Sequence, residues 1–297
     1  MKHILRLLLI SVLLAPGCDK SSVNPALNIW KYYEVVNMDT KAYYVIPYFC
    51  NLLGLSILQK GGNPEEVKAY IQWYFDHLNY PDKYGLTGSI YDYYITQDGT
   101  EKKAEKYDSA DSYAATFLIL LNEYCKKTNN TVLIKKNWNK INDIAYLIAF
   151  LQDKDGLTKA LPDNDAKYLM DNCECYGGLA AYAEMCLLMG KENIYYKKVQ
   201  ASIKEGILET LYDRKENNFY WGISGGVKHK IDDNIFYPDS FSQFFLILHG
   251  VLDDNVKINN SELWSKYGEK YKNKTAAFAV EQKIIYEMTL EKMIQKR

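Results

Sequence analysis

Apolar residues in this chain come in long blocks, and the blocks are of two kinds. Residues 44–57, 113–121, 179–189 and 241–251 are apolar on nearly every helical face, whereas residues 65–77 and 135–150 carry an apolar stripe with charges between. A helix that is apolar all round is buried, and one with a polar face lies outside. The two kinds alternate along the chain. Helical spacing predicts helices over residues 25–36, 41–60, 64–79, 109–127, 130–152, 167–189, 192–211, 239–252, 260–272 and 277–295. Asn63-Pro64-Glu65-Glu66 reads as a helix start, with a capping residue, a first-position proline and acids in the first turn. Short turns such as Lys60-Gly61-Gly62 fold neighbours back on each other. The expected fold class is all-α: an α/α toroid, with one ring of helices inside another.

The connections carry a second pattern. Outer helices run into Asp-led, aromatic-rich segments at residues 82–88, 153–158 and 213–222, all of which fall on one rim. The first continues through Ser89-Ile90-Tyr91-Asp92-Tyr93-Tyr94-Ile95 and Asp98-Gly99, which predicts a small β-hairpin over that rim. Acids recur where the inner helices begin, at Asp39, at Asp108 and Asp111, at Asp171 and Glu174, and at Asp239. Asp108 with Asp111, Asp171 with Glu174, and Ser240 with Gln243 have the spacing of capping boxes, which stabilise a helix without any other role. With Asp108 as the cap, Asp111 is left free for chemistry.

Composition narrows the function classes. The 297 residues hold 36 Lys and Arg against 37 Asp and Glu, with no long basic tract, so nucleic-acid binding lacks electrostatic support. Residues 1–17 read as a secretion signal: a short basic start, an apolar run too short to span a bilayer, and Ala15-Pro16-Gly17 before Cys18. That ending resembles a bacterial lipobox, with Cys18 as the lipidated residue; an ordinary signal peptide with an incidental Cys is the alternative. Residues 18–28 read as a tether and 29–297 as a single toroid domain. The localisation expected is the bacterial cell envelope, on the extracytoplasmic side. The five other cysteines lack disulfide or zinc-ligand spacing, and no metal or other cofactor is expected.

Inner and outer helices with acids at the inner N-termini resemble the six-hairpin, or (α/α)6-barrel, glycosidase superfamily. Within it, Ser109-Ala110-Asp111-Ser112-Tyr113-Ala114-Ala115 is similar to the Asp-Ala-Asp signature of glycoside hydrolase family 8, with Ser109 in place of the first Asp. The resemblance implies that Asp111 belongs to the catalytic cluster. The acid-bearing Ser-Glu-Gly segment of that family has no counterpart near residues 39–45. Glycoside hydrolysis needs one protonated carboxyl and one carboxylate. The expected pair is Asp111 and Asp239, with Asp171 and Asp92 next in rank and Asp108 orienting Asp111. Substrate contacts are expected from Asp92, Asp108, Tyr113, Asp171, Tyr176, Trp221 and Tyr237, because aromatic rings stack on sugar faces. The expectation is an oligo- or polysaccharide-active monomer. A carbohydrate-binding lipoprotein without catalysis and an envelope scaffold are the alternatives.

Overall fold

The computed structural model describes residues 42–96 and 98–295. The expected signal, Cys18, the tether, the helix at 25–36 and Asp39 lie outside the described residues. The chain enters on strand β1 (Ala42–Val45) before helix α1 (Pro47–Gln59). One helix over 41–60 was the expectation. A residue before proline is steered out of the helical region, and Ile46 is extended at φ −108° and ψ 106°. Tyr43, Tyr44 and Val45 suit a strand and pair with β2 (Tyr93–Thr96), which pairs in turn with β3 (Glu101–Lys103). The expected hairpin is therefore two strands of a three-stranded antiparallel sheet.

Helix α2 (Pro64–Asp76) starts as expected, with the Asn63 side chain accepting the Glu65 N–H. Helix α3 (Ala110–Thr128) follows. The helix expected over 130–152 is divided into α4 (Val132–Lys136) and α5 (Trp138–Leu151), broken at Asn137, whose side-chain amide donates to the Leu133 carbonyl. Strand β4 (Lys167–Tyr168) precedes α6 (Leu169–Leu188) and is held in a sheet with β7 (Gly222–Ser224) and β8 (Val227–His229). That pairing takes the first two residues from the helix expected at 167. Helix α7 (Ile194–Gly206) ends in a π turn and is followed by the short pair β5 (Tyr212–Asp213) and β6 (Asn218–Phe219). Helix α8 (Phe241–His249) emerges from a π turn at Phe236–Ser240. The helix expected over 260–272 is divided into α9 (Asn260–Leu263), a π turn and α10 (Glu269–Tyr271). Gly268 lies in that turn under the Trp264 ring, where an added Cβ would meet ring carbons at 2.4 Å. Helix α11 (Val280–Gln295) completes the described chain.

Five inner helices, among the described residues, form a closed ring. Helix α1 packs on α3, α3 on α6, α6 on α8, α8 on α11, and α11 returns to α1. Helices α2, α5, α7 and α9 pack outside their preceding inner partners. The fully apolar blocks lie inside and the striped ones outside, so the hydrophobic pattern is realised as an α/α toroid. Its buried side chains form one continuous core. The backbones of α3 and α6 approach closely, and a Cβ on Gly178 would stand 2.7 Å from the Ala115 Cα. No described helix is long and apolar enough to cross a membrane.

Candidate active site

The rim is built on the N-terminal turns of the inner helices. Asp111 lies in the first turn of α3 and Asp171 in the first turn of α6, where the helix dipole favours negative charge. Neither caps its helix. The N-cap of α3 is Ser109 and that of α6 is Tyr168, and neither makes a side-chain cap bond. The N-cap of α8, Ser240, likewise makes none, and its hydroxyl donates to the Ile235 carbonyl. The capping-box expectation therefore fails at all three positions. The Asp111 and Asp171 side chains instead meet at the Ser109 hydroxyl, while Gln243 pairs with the Phe219 backbone.

Asp111 is fully enclosed. Its Oδ1 accepts the Ser112 amide at 2.9 Å and the Ser109 hydroxyl at 2.8 Å, and its Oδ2 accepts the Thr158 hydroxyl at 2.6 Å. Thr158 comes from the second Asp-led loop, in which the Asp153 amide donates to the Leu157 carbonyl and Gly156 adopts a left-handed φ of 84°. The Ser109 hydroxyl also lies 2.5 Å from Asp171 Oδ2. One hydroxyl has one proton to donate. Two carboxyl contacts therefore need a second proton, and the surroundings put it on Asp171. Burial, and then the neighbouring Asp111 charge, push the Asp171 carboxyl well above the ordinary carboxylate range, against the opposing Ser109 bond. Burial raises Asp111 too, but three hydrogen bonds favour its ionised form.

One turn into α6, Glu174 is also enclosed. Tyr48 on α1 donates to its Oε1 at 2.8 Å, while Oε2 has no hydrogen-bond partner among the described residues. Burial, and then the closeness of the Asp171 carboxyl, with which it would share like charge, hold Glu174 well above its ordinary range. An unpaired buried polar atom costs roughly 1–3 kcal/mol. Sequence reasoning took Glu174 for a cap partner. The missed signal was its place three residues after Asp171, on the same face of a helix that is otherwise apolar.

On the other side of the rim, Asp92 is buried, with Tyr44 donating at 2.6 Å and Tyr113 at 3.0 Å. Burial pushes its carboxyl up to about 6 despite both bonds. Asp108 is exposed and stands between the two groups. Its charge acts on Tyr44, Asp92 and Tyr113 on one side and on Tyr168, Asp171 and Tyr237 on the other.

Solved structures of carbohydrate enzymes have the same arrangement of helices. A rhamnosidase from Klebsiella oxytoca with rhamnose bound matches with a TM-score of 0.56 and 9% identity, over 92% of this chain and 51% of that chain. GH63 mannosylglycerate hydrolase from Thermus thermophilus, in complex with Tris and D-glycerate, matches with a TM-score of 0.57 and 9% identity, over 84% of this chain and 77% of that one. The chain has the α/α-toroid fold of the six-hairpin glycosidases. A GH78 family rhamnosidase of Bacillus sp. GL1 aligns at a TM-score of 0.48 and 15% identity, over 64% of this chain and 20% of that one. The chain thus spans about a fifth and about half of the two rhamnosidase chains. No family model matches it, and no curated protein is similar to it in sequence.

The glycosidase-like toroid distributes the other expected site residues unevenly. Tyr113 is buried, with its hydroxyl donating to Asp92. Tyr237 is 56% exposed, with its hydroxyl in the field of Asp171 and Asp108. Trp221 is half-buried, held by backbone bonds to Leu169 and His229 and stacked between the rings of Tyr168 and His229 at 6.3 and 4.4 Å. Tyr176 lies farther along α6, packed against the core, with its carbonyl accepting from Gln200 of α7. Asp239 is buried and its Oδ1 accepts the Asp232 amide at 2.7 Å, which ties down the loop before α8. Ser109, Thr158, Tyr44 and Tyr48 were missed as site residues. Hydroxyl residues carry no spacing signal of their own, and only the folded ring brings them to the acids. Among the described residues no group of three or more metal-ligating side chains is placed to hold an ion.

Proposed function

We propose that this protein hydrolyses glycosidic bonds of an oligo- or polysaccharide laid across the rim. Its place is the extracytoplasmic side of a bacterial envelope, with Cys18 as the lipid anchor. One observation carries the chemistry: the single Ser109 hydroxyl contacts both Asp111 and Asp171, which leaves a proton on Asp171. A carboxyl kept protonated near neutral pH is what a glycosidic leaving oxygen requires. Asp171 is then the general acid. Asp108, exposed and in the same field, supplies the second carboxylate, as nucleophile or as the base that activates water. Asp111 is enclosed by three donors and acts as a positioning residue that fixes Ser109. Asp239, the partner expected from the sequence, has an oxygen committed to Asp232 and is the weaker choice. Tyr237, exposed, and Tyr168, half-buried, offer ring faces on which a sugar can lie, while Trp221, sandwiched between Tyr168 and His229, backs that surface.

The test is release of reducing ends from β-glucans, amino-sugar polymers and uronic-acid polymers, for the natural chain beside Asp171→Asn and Asp108→Asn. Each substitution is expected to lower turnover by about 10²–10⁴-fold, with binding of the same polymer retained. No reducing ends from any polymer, together with sugar binding that neither substitution alters, would establish a carbohydrate-binding protein without catalysis. The low exposure of Asp171, 9%, is the observation that favours that alternative.

A further inference from the structure

We propose that the lumen of the toroid is a second ligand site, shaped for an aliphatic chain that ends in a primary ammonium group. The lumen is a cavity of about 540 Å³ that lies beneath the rim acids and opens at the opposite end of the ring. That volume falls within the range of small-molecule sites. Its middle stretch is aliphatic, from Leu52, Leu55, Ile119, Leu248, Ile285 and Met288, between polar groups at either end, which suits an alkyl chain with a polar head.

The inner end is polar in a specific way. Glu174 is 1% exposed, lines the cavity, and has its Oε2 without a partner among the described residues. His249 lines the same space, and its Nδ1 is set against Gly177, three residues beyond Glu174 on α6. Positions three apart share a helix face, so the imidazole and the carboxyl stand one turn apart on one wall. Burial, and then Lys292, push His249 down to about 3, so the ring is neutral and has one acceptor nitrogen. Thr116 lines this wall too; its hydroxyl donates to the Ser112 carbonyl and accepts from the Asn51 amide, which leaves one lone pair on its oxygen. A primary ammonium has three N–H donors, and these three side chains are its acceptors. Its charge takes the place of the proton that burial, and then the neighbouring acids, otherwise hold on Glu174. A carboxylate head would meet those acids unpaired. At the open end Lys127 and Lys292 stand with Glu123 and Glu291, a balanced mouth that does not exclude a cation.

The experiment is isothermal titration of the full chain with n-hexylammonium chloride, hexan-1-ol and sodium hexanoate. Saturable 1:1 binding of hexylammonium is expected, with hexanol weaker by about tenfold or more and hexanoate not bound. Glu174→Gln is expected to weaken hexylammonium binding by about tenfold or more. Met288→Trp, which fills the lumen and keeps Glu174, is expected to abolish it. Should Glu174→Gln not fold, Met288→Trp decides the matter alone. Absence of binding, equal affinity for all three probes, or binding that survives Met288→Trp would overturn the proposal. So would binding lost in Asp108→Asn but intact in Glu174→Gln, which would put the ammonium on the rim. None of these results depends on glycosidase activity.

Discussion

Ser109 has one hydroxyl proton and two carboxyl groups within its reach, and this imbalance sets how Asp111 and Asp171 share protons. Asp92, whose shift comes from burial, is a measurable reporter of the other side of the rim. Its folded pKa is pushed up to about 6, from an ordinary value near 4, so the folded state holds that proton more tightly than the unfolded chain. Stability from this group is fully present below about pH 4 and is lost as pH rises toward 6, by about 3 kcal/mol. Urea denaturation of Asp92→Asn across pH 4–6.5 is expected to show a flatter stability profile than the natural chain. Parallel profiles would mean that Asp92 ionises as freely in the fold as out of it. The residue types of the rim were legible in the sequence, as were its positions in the chain. The partners were not, because Asp111 reaches Thr158 across 47 residues and Ser109 reaches Asp171 across 62.

At the scale of elements, the pairing of α3 with α6 depends on the absence of a side chain. Gly178 lets the two backbones meet where an added Cβ would stand 2.7 Å from the Ala115 Cα. That obstacle is main chain and cannot rotate away. Gly178→Ala is expected to destabilise the protein by about 1–3 kcal/mol through overpacking, seen as a lower urea midpoint at unchanged slope. Because α3 carries Asp111 and α6 carries Asp171, the same change is expected to disturb the Ser109 contact. Whereas α11, charged along its length, became an inner helix only by closing the ring, the inner placement of α1, α3, α6 and α8 and the outer placement of α2 and α5 followed from periodicity. Element ends did not. Tyr43, Tyr44 and Val45 became a strand through pairing with β2, and Lys167 and Tyr168 through pairing with β7, partners more than 45 residues away in each case.

For the whole molecule, closure is the property on which the lumen and the rim both depend. Helix α11 fills the gap between α8 and α1 and contributes Ile284, Ile285, Tyr286 and Met293 to the core. A chain ending at Ala279 leaves the inner faces of α1 and α8 uncovered. It is expected to bind a hydrophobic dye and to lose a sharp cooperative transition in urea, and a sharp transition with no dye binding would show that the ring holds without α11. A toroid places every inner N-terminus on one rim. The acids at 111, 171 and 239 therefore come to one end of the molecule although they are 60–68 residues apart in the chain.

The sequence by itself determined the fold class. Burial on all faces or on one face is a local property of each helix, written in the spacing of its apolar residues, and it sorts the helices into two layers. The sequence also placed acids, hairpin and aromatics at one end of that arrangement. Only the tertiary structure decided which partners the acids meet. Capping boxes and a catalytic cluster share the same local spacing, and they differ in where the side chains turn and what meets them there. That depends on α3, α6 and the loop bearing Thr158 coming together, and on a burial that shifts the proton to Asp171. The lumen too belongs to the ring, since no single helix encloses a cavity.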